Sequence, residues 1–199
     1  MRETILFAPG ANGTELLRSL ARFGVNMLGC RVCGAVDLAR AVLQTHGFAI
    51  TQTFLPRKDE PAVIDSFLRE IPYFSNASYA DAESMAAALY TLRSLIPAEE
   101  KETLRTKLPE GEFPEKNLAI LQVYERYIQE LRVTGRIDTI GLVRKAIGLG
   151  KTLDPEILIL KEYPLSPLEK ELAQRLSDGT FRETNLAGLF QKPAFTPTV

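Results

Sequence analysis

A chain of 199 residues, 45% of them hydrophobic and 25% charged, is long enough for one domain or one domain with an insertion, and can bury a substantial core. Its net charge of -1, from 24 basic and 25 acidic side chains, excludes a disordered polyelectrolyte and a globally basic nucleic-acid surface. Two cysteines and one histidine exclude a disulfide framework, and no run approaches the ~18 apolar residues of a membrane span.

The N-terminus, Met-Arg-Glu-Thr-Ile-Leu-Phe, has no apolar run leading to a small-residue cleavage site, so a cytoplasmic location is the expectation, with no membrane partner. Thr4 to Ala8 reads as a buried strand that runs into the turn Pro9-Gly10-Ala11-Asn12-Gly13. Thr14 to Arg22 follows as a helix, with Leu16, Leu17, Leu20 and Ala21 on one face. Asn12 or Thr14 can cap it, and Gly24 ends it. Val25 to Cys33 reads as a second strand, and Ala35 to Thr45 as a second helix before Gly47. This alternation is the grammar of a parallel α/β sheet.

From about Pro61 to Leu149 the pattern is helical, with almost no strand signal. Helices are predicted over Pro61 to Ile71, Tyr79 to Ile96, Ala98 to Leu108, Glu115 to Val133 and Thr139 to Ile147. In the fourth, Leu118, Leu121, Tyr124, Ile128 and Leu131 recur every three or four residues. Gly135 stops it, and Asp138 caps the fifth. Ile157 to Leu160 returns to a buried strand. Ser166-Pro167-Leu168-Glu169 then opens a helix to Leu176 with a capping box and a first-turn proline. The expected fold is a small parallel, P-loop-like α/β sheet flanked by helices and interrupted by a large all-helical insertion. The expected boundaries are 1–58 with 151–190 for the sheet, 59–150 for the insertion and 191–199 for a tail.

Four constellations could carry chemistry. Ala8 to Glu15 has the frame of a phosphate-binding loop, with Gly10, Asn12 and Gly13 in place between strand and helix. Thr14 stands where lysine should reach the phosphates, and Glu15 where a hydroxyl should hold Mg²⁺. Lys161 and Glu162 follow the strand at which a nucleotide enzyme places its metal-binding carboxylates, but a lysine cannot ligate a cation. Cys30 and Cys33 form one C-x-x-C without a second pair, which suits two small hydrophobes better than a zinc site. Arg93, Arg126, Arg136, Arg144 and Lys145 are candidate contacts to a nucleic-acid strand, although Glu125 and Glu130 are interleaved with them. No catalytic triad, metal site or cofactor is indicated, and His46 has no evident catalytic partners.

The order of these segments is more telling than any one of them. The degenerate loop is followed by the helical insertion and by Tyr127, Leu131, Gly135, Arg136, Ile137, Asp138, Thr139, Ile140, Gly141 and Leu142, then by the Lys161-Glu162 strand end and the Ser166 helix. This order resembles the first half of superfamily 1 helicases of the UvrD type. It is more similar still to the inactivated helicase-like N-terminal region of AddB-type helicase–exonuclease subunits, of the PD-(D/E)XK nuclease family. The resemblance implies a scaffold of a DNA repair and recombination helicase–nuclease. Its partners would be single-stranded DNA and a helicase or nuclease subunit, and a nuclease domain would follow in a longer protein. Thr14, Glu15, Lys161 and Leu165 depart from the active helicase pattern, so this chain alone is expected to be no enzyme. Two alternatives stay open: an α/β enzyme or binding protein for a phosphorylated small molecule, and a protein-interaction module.

Overall fold

A computed structural model of the chain describes residues 3–25, 27–96, 105–106, 110–177 and 181–191. The chain divides into two compact units, Met1–Ala49 with Leu142–Val199, and Ile50–Gly141. The first unit opens with strand β1, Thr4–Phe7, whose four residues are all buried. A strand covered on both faces must be apolar along its whole length, and Ile5, Leu6 and Phe7 meet that need. Each contributes roughly 1.5–3 kcal/mol by leaving water. Helix α1, Gly13–Arg22, follows and buries Leu16 and Leu20, while Leu17 is half-buried and Ala21 is exposed. It ends where Gly24, at φ +78°, lets the Gly24 and Val25 amides reach the carbonyls of Ala21 and Leu20. Strand β2 is Cys30–Cys33 and helix α2 is Ala35–Thr45. The strand begins five residues later than the apolar run predicts. A turn from Met27 to Cys30, with Gly29 at φ +75°, takes up the earlier residues.

The second unit starts with strand β3, Thr53–Leu55, then helices α3, Glu60–Leu68, α4, Tyr79–Leu95, and α5, Pro114–Val133. Ser78 and Asp81 form a capping box at α4, with the Ser78 amide donating to the Asp81 carboxylate at 2.7 Å. Ile64, Phe67, Leu68, Leu89, Val123 and Tyr127 fill the core among these helices. Leu118, expected on the packing face of α5, is exposed instead. Gly135, at φ +62°, turns the chain into strand β4, Arg136–Asp138. β4 pairs in parallel with β3, matching Leu55 to Asp138. The inserted unit is therefore mostly helical around one short ladder, and the absence of strand signal over Pro61–Leu149 hid β4. The helix predicted at Ala98–Leu108 and the tail after Gln191 lie outside the described residues, apart from 105–106.

Helix α6, Thr139–Gly148, carries the chain from the second unit back into the first. Strand β5, Glu156–Leu160, helix α7, Pro167–Leu176, strand β6, Arg182–Thr184, and helix α8, Leu186–Gln191, complete it. The predicted capping box is present at α7, where Ser166 and Glu169 bond each other's amides. The sheet order is β2-β1-β5-β6 and all pairs are parallel. Leu6, Leu158 and Leu160 pack on one face against Leu16, Leu20 and Leu189 of α1 and α8. The alternating residues Ile5, Phe7, Ile157 and Ile159 are buried as well. The chain leaves β1 toward β2 on one side and resumes at β5 on the other. That reversal makes the carboxyl ends of β1 and β5 the topological switch point, the usual place for a ligand in an open parallel sheet.

Candidate functional site

The two suspect strand ends are neighbours. β1 and β5 pair directly, with Phe7 beside Ile159, so the turn after Phe7 and the segment after Leu160 leave the sheet side by side. Their local chemistry differs from that of a nucleotide site. Pro9 and Gly10 occupy the middle of a tight turn closed by the Ala11 amide on the Ala8 carbonyl at 3.1 Å. Gly10 sits at φ +81°, a conformation that glycine takes without strain at the third position of such a turn. The Ala8 amide donates to the Cys33 carbonyl at 3.1 Å. At the start of α1 the Asn12 side-chain oxygen accepts from the Glu15 amide at 3.2 Å. A capping oxygen thus holds the place that a phosphate oxygen would take at a helix N-terminus. Thr14 and Glu15 are exposed, and Glu15 already supplies negative charge to the first turn.

Gly13 has a different reason to be there. A Cβ at this position would come within 3.2 Å of the Val32 Cβ, so the glycine allows α1 to approach β2 closely.

At the other strand end, Lys161 is exposed and its amide donates to the Thr184 carbonyl at 2.9 Å. The Glu162 carboxylate accepts from the Leu186 amide at 2.7 Å, so it caps the start of α8. A cavity of about 230 Å³ opens beside Lys161, lined also by Tyr163, Lys170 and Glu183. Its lining draws on β5, β6 and the start of α7, and on none of Gly10 to Glu15.

The candidate cations separate. Arg93 is buried, not a surface contact. Its guanidinium grips Asp138 with both arms, Nη1 to Oδ2 and Nη2 to Oδ1, the latter at 3.2 Å. Arg126 pairs with Glu130 at 3.2 Å and Glu70 at 3.7 Å. Arg136 is exposed and lines a groove of about 550 Å³ that also takes in Asp59 and Glu130, a mixed rather than a basic surface. Arg144 and Lys145 are half-buried on α6 and belong to the sheet unit, whereas Arg126 and Arg136 belong to the other.

Asp138 is the polar centre of the second unit. One oxygen accepts from Arg93 and from the Gly141 amide at 2.8 Å, which caps α6 as predicted. The other accepts from Arg93 and from the Tyr127 hydroxyl at 3.1 Å. Burial pulls the Arg93 pKa down, and the Asp138 carboxylate more than restores it. Burial and the Asp138 charge push the Tyr127 hydroxyl up. The sequence signal for Arg93 was present: Met85, Leu89 and Arg93 recur at helical spacing, and all three are buried.

Both thiols are free, and burial raises both, Cys30 to about 11 with help from Glu156. Protonated, half- or fully buried thiols behave as small apolar groups. The His46 ring nitrogen Nε2 bonds the Thr152 carbonyl at 2.9 Å. Among the described residues no cluster of three or more His, Cys, Asp or Glu side chains could hold a metal ion, and no helix is long and apolar enough to cross a membrane. No protein-family model matches this sequence, and no curated protein matches it.

Proposed function

We propose that this chain is a non-catalytic, helicase-like region of a DNA repair and recombination helicase–nuclease. It acts in the cytoplasm as a scaffold for a helicase or nuclease subunit and contacts single-stranded DNA without turning over ATP. One observation supports this most: the two segments that leave the paired strands β1 and β5 at the sheet's switch point both lack nucleotide chemistry. Asn12 caps α1 in place of an anion, Thr14 and Glu15 replace the lysine and hydroxyl, and Glu162 caps α8 instead of facing a metal. An erosion confined to one site would be an accident of one turn. Matching losses at two paired strand ends fit an ATP site retained for its packing, where Gly13 still admits α1 against β2.

The test measures ATP hydrolysis by the purified chain, with and without single-stranded DNA, beside DNA binding at several salt concentrations. The expected outcome is no hydrolysis above background and weak binding that falls steeply with salt, as phosphate contacts require. ATP turnover at helicase-like rates would overturn the proposal. The cavity beside Lys161 and Lys170, at the carboxyl end of β5, favours one rival, a binder of a phosphorylated small molecule. A thermal-shift series with sugar phosphates separates the two. A saturable rise in midpoint, equivalent to about 2.7 kcal/mol at a hundredfold excess over Kd, would support the rival.

A further inference from the structure

The cluster around Asp138 contains a second carboxylate. Glu60, the first residue of α3, is 3% exposed and Asp138 is 1% exposed. One guanidinium lies among them, and Arg93 turns both arms of its fork to Asp138. Glu60 Oε1 is buried and has no hydrogen-bond partner among the described residues. Arg57 lies three residues earlier, but it is exposed and stacks over the Tyr90 ring at 4.0 Å. The charged and titratable groups that act on Glu60 are thus Asp138 from β4, Arg93 from α4, Tyr127 from α5 and Arg57 from the turn before α3.

An ionised Glu60 would be a buried charge acted on by another carboxylate, with the buried guanidinium of Arg93 bonded to Asp138. Such a charge is far costlier than the neutral acid. We propose that the helical unit carries a proton-linked switch: Glu60 holds a proton in the folded unit, and its ionisation toward neutral pH loosens the Arg93–Asp138–Tyr127 cluster.

Burial, then the Asp138 charge, push the Glu60 carboxyl up to about 7, against the opposing pull of Arg93 and Arg57. The unfolded chain releases this proton in the ordinary carboxylate range. Between that range and pH 7 the folded unit binds a proton that the unfolded chain has lost. The contribution of Glu60 to stability is therefore highest at low pH, falls as pH rises through this window, and levels off above it.

The effect can be read on the full chain. Tyr73, Tyr79, Tyr90, Tyr124 and Tyr127 lie in the helical unit and only Tyr163 lies outside it, while the chain has no tryptophan. Tyrosine fluorescence during urea unfolding therefore reports chiefly on this unit. Between pH 5 and pH 8 the folding equilibrium constant of the natural chain should fall on the order of 50- to 100-fold more than that of Glu60→Gln. Superimposable pH dependences of the two proteins would overturn the proposal. If Glu60→Gln fails to fold, carboxyl ¹³C NMR of the natural chain decides. A glutamate titrating near pH 7 supports the switch, and every glutamate titrating in the ordinary range overturns it.

Discussion

The sheet unit and the helical unit differ in their buried charges: among the described residues all three, Glu60, Arg93 and Asp138, belong to the helical unit. In the sheet unit the suggestive groups lie at strand ends, near the surface, and close local structure. Asn12 caps α1, Glu162 caps α8, and Ser166 with Glu169 caps α7. The helical unit has surface pairs as well, Ser78 with Asp81 and Arg126 with Glu130, but three of its charged side chains go inward: Arg93, Asp138 and Glu60 are buried. A motif-shaped turn carries a helix cap from Asn12, while an arginine that belongs by composition to a basic surface is buried in the core. Residue type and spacing therefore locate these side chains, but their partners decide their use.

The largest expected effect is at the buried pair. Arg93→Ala leaves Asp138 as an uncompensated buried charge and should cost about 3–5 kcal/mol, measured by urea unfolding followed through tyrosine fluorescence. A cost below about 1 kcal/mol would mean that water reaches Asp138, and the contrast between the units would fail. Leu6→Ala tests the sheet unit, where Leu6 is fully buried between α1 and α8. It should cost about 2–5 kcal/mol through lost burial and an unfilled cavity. Asn12→Ala removes one cap and should cost about 1 kcal/mol, whereas Asn12→Gly should cost only a few tenths. An unchanged stability in Asn12→Ala would show that the cap bond contributes nothing. Arg126→Ala removes two exposed ion pairs and should change stability by less than about 1 kcal/mol, with the residue vanishing in high salt.

Much of the sheet unit was legible in the sequence. β1 and β5 are apolar runs, and α1 and α7 carry capping residues at the expected offsets, as α4 does in the helical unit. Their ends follow from local chemistry, which a single sequence records. Three strands were not legible as such. β3 and β4 have three residues each, and their pairing joins Thr53 to Arg136 across the whole helical insertion. β6 is Arg-Glu-Thr, a polar edge strand that its own sequence does not distinguish from a loop. The site divides in the same manner. The missing lysine and hydroxyl could be read at Thr14 and Glu15, but the role of Glu162 depends on Leu186, which only the fold brings near. The charge of Arg93 points to the surface, whereas its position in line with Met85 and Leu89 points to the core. Glu60 carries no signal of its own, because a glutamate before a first-turn proline reads as a routine helix start.

The central claim concerns the turn at the head of α1. The most direct measurement is an amide NMR titration of the ¹⁵N-labelled chain with Mg·ATP, following Gly10, Gly13 and Thr14. No saturable shift is expected at these amides up to millimolar nucleotide, because Asn12 caps the helix and Glu15 repels the phosphates. A saturable shift centred on these residues would contradict it and restore the turn as a working nucleotide site.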